Sequence, residues 1–186
     1  MDLQIDGLEA AVRSVRTAVS RDRKHPAALR CVLVDPEGDV VRVVATDKHR
    51  LAVAECAGTL PRRMLLDPDA LVEAAGVADE FPAYERFLAA DPGAVCASVD
   101  RDELLSALEA EADDGAPIAV AVVDGEVRLG SAVADPSLHV DAGYLHDALE
   151  AAGAGEVVIE ASSPTAPVAV RSDTVVTILM PVRIAN

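Results

Sequence analysis

The sequence predicts an α+β fold in which one unit recurs: a strand, a helix, then two or three antiparallel strands, with the helices on one face of the sheets. Three observations predict it. Four times a short apolar run ends in aspartate and an amphipathic stretch follows: Leu3-Gln4-Ile5-Asp6, Met64-Leu65-Leu66-Asp67, Ala97-Ser98-Val99-Asp100 and Leu138-His139-Val140-Asp141. An aspartate so placed accepts hydrogen bonds from the free amides of a first helical turn. Runs of β-branched residues separated by turn signals follow most of these stretches, as antiparallel strands do. Hydrophobic residues make up 51% of the 186, enough to build a core, so a wholly disordered chain is excluded.

The elements follow in order. In the first helix Leu8, Val12, Val15 and Val19 recur at helical spacing, and Glu9, Arg13, Arg16, Ser20 and Arg23 fall on the opposite face. That face reads either as a solvated one or as a cationic surface for a polyanion. Strands are expected over 29–34, 40–45 and 51–55, with Pro36-Glu37-Gly38-Asp39 as the first turn. A second helix is expected from Pro68, a residue favoured at the first helical position, and it exposes Asp69 and Glu73. Leu71, Leu104 and Leu145 each stand four residues after the repeat aspartate. The third helix exposes Asp102, Glu103, Glu109 and Glu111, and strands over 118–123 and 127–133 follow, joined by the hairpin signal Asp124-Gly125. The fourth exposes His146, Asp147 and Glu150, with strands over 157–161, 168–171 and 175–180 behind it. Only 81–91 follows the second helix, so that unit lacks a hairpin. Pro82, Pro92 and Gly93 put a domain boundary there, between domains expected at 1–88 and 94–186.

Charge is unevenly spread. The net charge is −16, yet residues 1–63 hold 11 basic and 9 acidic side chains against 5 and 23 in the remainder. Such a chain meets a phosphate backbone only through a local basic patch. Aromatics at 2% leave little for a base-stacking platform. The sequence contains no phosphate-cradling glycine loop, no nucleophile-elbow motif and no histidine pair at metal spacing, so no enzyme, cofactor or metal is expected. Three scattered cysteines are too few for a disulfide framework, and Cys31 and Cys96, inside apolar runs, are expected as buried thiols. No basic-then-apolar leader opens the chain and no apolar run reaches membrane length; a cytoplasmic protein off the membrane is expected.

Three segments remain that composition does not explain. Val44 to Val53 holds a polar knot, Thr46-Asp47-Lys48-His49-Arg50, between two apolar strands. Phe81-Pro82-Ala83-Tyr84-Glu85-Arg86-Phe87-Leu88 gathers most of the aromatics, and the chain ends in Ile178-Leu179-Met180-Pro181-Val182-Arg183-Ile184. Each sets apolar side chains beside an arginine or histidine, which suits either a pocket for a short peptide or an interdomain core.

In this order the three segments resemble the bacterial DNA polymerase III β subunit, the sliding clamp. The knot resembles the family's ATD-x-[HF]-R-L-A, 81–87 its F-P-x-Y/F-R linker, and 180–184 its terminal M-P-[VM]-R-[LI]. Tyr144 to Leu149 resembles the last inner helix. The likeness covers the family's middle and last domains; the first has no counterpart. It implies the DNA-clamp fold and a non-enzymatic docking role in replication, with a pocket for short peptide motifs of replication or repair proteins. Carried over residue by residue, that pocket uses Thr46, His49, Arg50 and Leu51, then Pro82, Arg86 and Phe87, then Met180, Pro181, Val182, Arg183 and Ile184. Phe87 stands where the family often has a smaller residue. The likeness also implies a homo-oligomer, since a ring holds six domains and this chain supplies two. Arg13, Arg16 and Arg23 are the candidates to face duplex DNA, weakly, because the other helices are acidic. The alternative is a clamp-derived regulatory module that does not encircle DNA.

Overall fold

The computed structural model describes residues 5–74, 78–89, 91–112, 116–133 and 138–184. The chain forms two compact units, Met1–Arg86 and Phe87–Asn186, and among the described residues no helix is long and apolar enough to cross a membrane.

The first unit opens with α1 (Leu8–Val15), a 3₁₀ turn (Arg16–Ala18) and a second one (Ala27–Arg30). Strands β1 (Val32–Glu37), β2 (Val40–Thr46), β3 (Arg50–Ala57) and β4 (Met64–Leu66) then pair antiparallel in the order β4-β1-β2-β3. Leu33 faces Val44, and Val44 faces Val53, so apolar positions stay in register across the sheet. Gly38, at φ 67, closes the two-residue β1–β2 hairpin. Ala11, Val12 and Val15 bury the inner stripe of α1 against β2 and β3.

Three sequence expectations at the start of this unit are corrected. Leu3 and Gln4 of the first apolar run lie outside the described residues; Ile5 bridges Gly58. Asp6 is not the cap of α1: Gly7, at φ 77, takes that position with no side-chain bond. The helix ends at Val15 and its 3₁₀ extension at Ala18, so Ser20 and Arg23 are off the helix. Ser20 is buried, its amide bonded to the Leu29 carbonyl at 2.8 Å and its hydroxyl to His25 Nδ1 at 2.7 Å. The strand expected from Leu29 begins at Val32, behind a 3₁₀ turn.

The second predicted helix is not formed among the described residues. Asp67 caps, as expected, by accepting from the amides of Asp69 (2.9 Å) and Ala70 (2.8 Å), which lowers its carboxyl pKa. Leu71 N–H then closes one turn on the Asp67 carbonyl at 3.0 Å and adopts φ 55. The chain turns back, Ala74 N–H bonding the Leu65 carbonyl at 2.8 Å and Glu73 bridging Leu66. Positions 74 and 75 are alanine, so a helix continued from Leu71 has no large residue at i+3 or i+4 to bury. Pairing beside β4 wins instead.

The second unit contains the repeat in full: β5 (Val95–Asp100), α2 (Arg101–Glu111), β6 (Pro117–Val123) and β7 (Glu126–Leu129), then β8 (His139–Asp141), α3 (Ala142–Ala152), β9 (Glu156–Ala161), β10 (Val168–Arg171) and β11 (Val175–Leu179). Both aspartates cap: Asp100 accepts from Asp102 (2.9 Å) and Glu103 (3.1 Å), and Asp141 from Tyr144 (2.9 Å). The strands form two antiparallel sets, β11-β10-β9-β5 and β7-β6-β8. The first strand of each repeat crosses to the other: β5 pairs with β9 and β8 with β6. Helix α3 packs on β10, β11 and β8, and α2 on β5 and β7. Asp124 and Gly125, at φ 53 and 80, make the mirror-image turn of the β6–β7 hairpin. The strand expected over 127–133 stops at Leu129. Gly130 turns at φ 53, and the Glu111 carboxylate takes the Ser131 amide and hydroxyl, each at 2.9 Å. A side chain at 130 would meet Glu111 Oε2 at 2.5 Å. Cys96, expected buried, is exposed, because strand alternation sends Ala97 and Val99 inward; Cys31 is half-buried and Cys56 is the buried thiol.

Leu149 is wholly buried at the centre of the α3 stripe. Leu149→Ala is expected to cost about 3 kcal/mol, read as a fall in urea midpoint at unchanged m-value.

Candidate functional site

The polar knot is the β2–β3 turn, and its own side chains build it. Thr46 Oγ1 donates to the Arg50 carbonyl (2.6 Å) and accepts from Lys48 N–H (3.2 Å). Asp47 Oδ1 accepts from the amides of His49 and Arg50, each at 3.0 Å. These bonds hold Lys48 at φ 80. The Arg50 side chain is only 10% exposed. Its Nε donates to Asp47 Oδ2 at 3.1 Å and its Nη2 to the Thr17 carbonyl, tying the turn to the end of the α1 extension. Thr46 and Leu51 are buried, so Lys48 and His49 are the exposed side chains of the turn. The resemblance offers Arg50 as a pocket residue; here its guanidinium is turned inward to Asp47 and Thr17.

The aromatic segment is docked rather than free. Phe81 and Tyr84, three residues apart, are buried at 5% and 2% exposure, while Pro82, Ala83, Glu85 and Arg86 are exposed. The Tyr84 hydroxyl donates to Asp35 Oδ2 at 2.8 Å. Arg63 donates to the same carboxylate twice, Nε to Oδ1 at 2.9 Å and Nη2 to Oδ2 at 2.6 Å, and reaches Glu85 at 3.2 Å. Burial, then the bond to Asp35, pushes the Tyr84 phenol up, and the Asp35 carboxylate raises the Arg63 guanidinium. Asp35 faces Arg42 in the β1–β2 ladder, and Arg42 bonds Glu55 of β3 at 3.0 Å. Sequence reasoning gave Asp35 and Arg63 no role. The signal present was one acid interrupting the apolar run Val32-Leu33-Val34 directly before a proline.

Asp35 sits near the hairpin end of β2 and the knot at the other end. Arg42 and Thr46 are four residues apart in that strand, ~13 Å at the usual rise. Phe87 is half-buried and opens the second unit.

The terminal segment leaves β11 after Leu179 and runs on without regular structure. Val182 N–H donates to the His139 carbonyl of β8 at 2.8 Å, which fixes the tail to its own unit. Pro181 and Val182 are half-buried, and Arg183 is exposed. Met180 and Ile184, 37% and 48% exposed, are two of the five exposed large apolar residues among the described ones.

Two of the three cationic candidates are paired with carboxylates. Arg13 pairs with Glu9 at 2.9 Å and Arg16 with Asp69 at 2.8 Å, while Arg23 is exposed in a turn beyond the helix. Helix α2 exposes Asp102, Glu103, Glu109 and Glu111, and Glu150 is exposed on α3. Burial raises the Cys31 and Cys56 thiols above their ordinary pKa. Among the described residues no cluster of His, Cys, Asp or Glu is arranged to hold a metal ion.

Arg50→Ala removes the partner of Asp47 Oδ2 and of the Thr17 carbonyl, and is expected to cost about 2 kcal/mol in urea unfolding. Arg50→Lys, which keeps the charge but not the fork, is expected to recover part of that.

No protein-family model matches the sequence, and no curated protein does. Solved structures do. The DNA polymerase III β subunit of Pseudomonas aeruginosa is similar at TM-score 0.76 and 18% identity, over 95% of this chain and 64% of that one. That of Caulobacter crescentus gives 0.75 and 18%, over 96% and 64%. The DNA polymerase sliding clamp of Bacillus subtilis gives 0.75 and 18%, over 98% and 64%. The chain spans less than two thirds of the length of these structures. Over nearly its whole described length it has the sliding-clamp fold of the DNA polymerase III β subunit.

Proposed function

We propose that this protein is a clamp-fold docking factor that binds short Gln/Leu/Phe-rich peptide motifs of replication or repair proteins. The observation that carries the reading is the terminal segment. Its backbone is fixed through Val182 to His139, while Met180 and Ile184 keep apolar side chains at the surface. A fixed, partly apolar strip with an arginine on it suits an anchor for an extended peptide. His49 on the β2–β3 turn, and Pro82 and Arg86 on the aromatic segment, are exposed and are the further elements assigned to binding; Phe87 belongs with them from the resemblance. Thr46, Leu51 and Arg50 serve by shaping the turn that presents His49.

A second reading, a module that does not encircle DNA, is favoured by charge. Acidic side chains cover α2, and Arg13 and Arg16 already hold carboxylates. Phosphates brought to such helices meet like charge, and the few cations available give a binding that modest salt removes. Docking and non-encirclement are compatible, and we assign both. If the chain does close a ring, its two clamp-like units make that ring a trimer.

Fluorescence anisotropy with a labelled Gln-x-x-Leu-Phe peptide tests the docking. Binding is expected, and Met180→Ala is expected to weaken it by about 1–2 kcal/mol, roughly 5- to 30-fold. Affinity indifferent to Met180, Pro181 and His49 variants would end the reading. On duplex DNA at about 0.15 M salt no stable complex is expected. Retention on circular DNA that is lost when the circle is cut would instead establish encirclement.

A further inference from the structure

One carboxylate holds the aromatic segment in place. Asp35 is a β1 residue with a side chain only 14% exposed. It receives three hydrogen bonds from two other parts of the first unit: one from Tyr84 and two from Arg63, at 2.6–2.9 Å. Charge-assisted, bidentate bonds of this kind are the stronger and more directional ones. Around them Phe81 and Tyr84 are buried, and the same backbone turns Pro82 and Arg86 outward. Glu85, in the 3₁₀ turn Glu85–Phe87, closes the outer side of the cluster on Arg63 at 3.2 Å. The segment has no regular strand or long helix of its own to hold it. The two buried rings and the bonds to Asp35 anchor it.

We propose that Asp35 is a positioning residue for peptide docking: through Tyr84, and with Arg63, it fixes residues 81–86 so that Pro82 and Arg86 are presented in one conformation before a peptide arrives. The functional half of this inference rests on the docking reading above; the structural half does not. Pre-ordering the segment removes an entropic cost that a loose one would pay at binding. Asp35 itself touches no peptide in this scheme.

The test uses the full chain with Asp35→Asn, which keeps the size of the side chain and puts an N–H₂ against Arg63, and Tyr84→Phe, which removes only the hydroxyl. Hydrogen exchange is measured along residues 81–86 and along β2 and β3. Peptide affinity is measured for Asp35→Asn, Arg86→Ala and the double variant. Exchange in 81–86 is expected to speed up about tenfold in both single variants, with β2 and β3 unchanged. Asp35→Asn is expected to weaken the peptide about fivefold alone and to add little once Arg86 is alanine. Unchanged exchange in 81–86 in both variants overturns the inference. So does an equal affinity loss in the presence and absence of Arg86, since that marks general destabilisation. If the unaltered chain fails to bind the peptide, the docking reading falls, and the exchange measurement alone decides whether Asp35 holds the segment.

Discussion

In the second unit neither repeat keeps its own first strand. β5 leaves the β6–β7 hairpin to pair with β9, and β8 leaves β9 to β11 to pair with β6. A strand edge without a partner carries a row of unsatisfied amides and carbonyls, so each repeat completes its hydrogen bonding only in the presence of the other. The helices follow from that exchange. Each starts at the aspartate that ends the exchanged strand, so fixing β5 and β8 also fixes where α2 and α3 begin. Packing then locks the arrangement: Leu104 and Leu108 on α2, and Leu145 and Leu149 on α3, are buried. The terminal tail depends on the same exchange, since Val182 is fastened to β8.

The first unit has less to draw on. Among its described residues it contains one helix of the repeat, and the run after Asp67 turns back along β4. Charge pairing is concentrated in this unit. Asp35, Arg63, Tyr84 and Glu85 form one partly screened cluster, and Arg42 joins β2 to Glu37 and Glu55 beside it. Removing one member of such a network costs more than its bonds are worth, because the partners stay desolvated. The β2–β3 turn works the same way on a smaller scale, with Asp47 and Arg50 nearly out of solvent.

Helix α2 combines a buried stripe with an acidic exposed face. The clamp fold is present, α2 exposes Asp102, Glu103, Glu109 and Glu111, and Arg13 and Arg16 pair at the surface with Glu9 and Asp69. Electrostatics is a surface property that changes without disturbing the buried stripe of a helix, so fold and surface charge vary independently. Peptide docking asks less of net charge, needing only fixed backbone, a few exposed apolar side chains and a hydrogen-bonding rim.

Features of short range are legible in the residues alone. Asp100 and Asp141 cap because a carboxylate reaches amides two or three residues on, and Asp124-Gly125 turns because its residues tolerate positive φ. The apolar spacing marked α1, α2 and α3, and three motifs in order carried the likeness to the clamp. Local signals also misled where they were not backed by burial: Asp67 and Pro68 start a turn, but with alanines behind Leu71 there was no stripe to extend it. The strand exchange of β5 and β8, the inward turn of Arg50 to Thr17, and the gathering of Tyr84 and Arg63 on Asp35 emerge only when each unit folds. Those partners stand 33, 49 and 28 residues apart. Pairings at such separations are selected by the packing of the whole unit, and no local pattern of residue types encodes them.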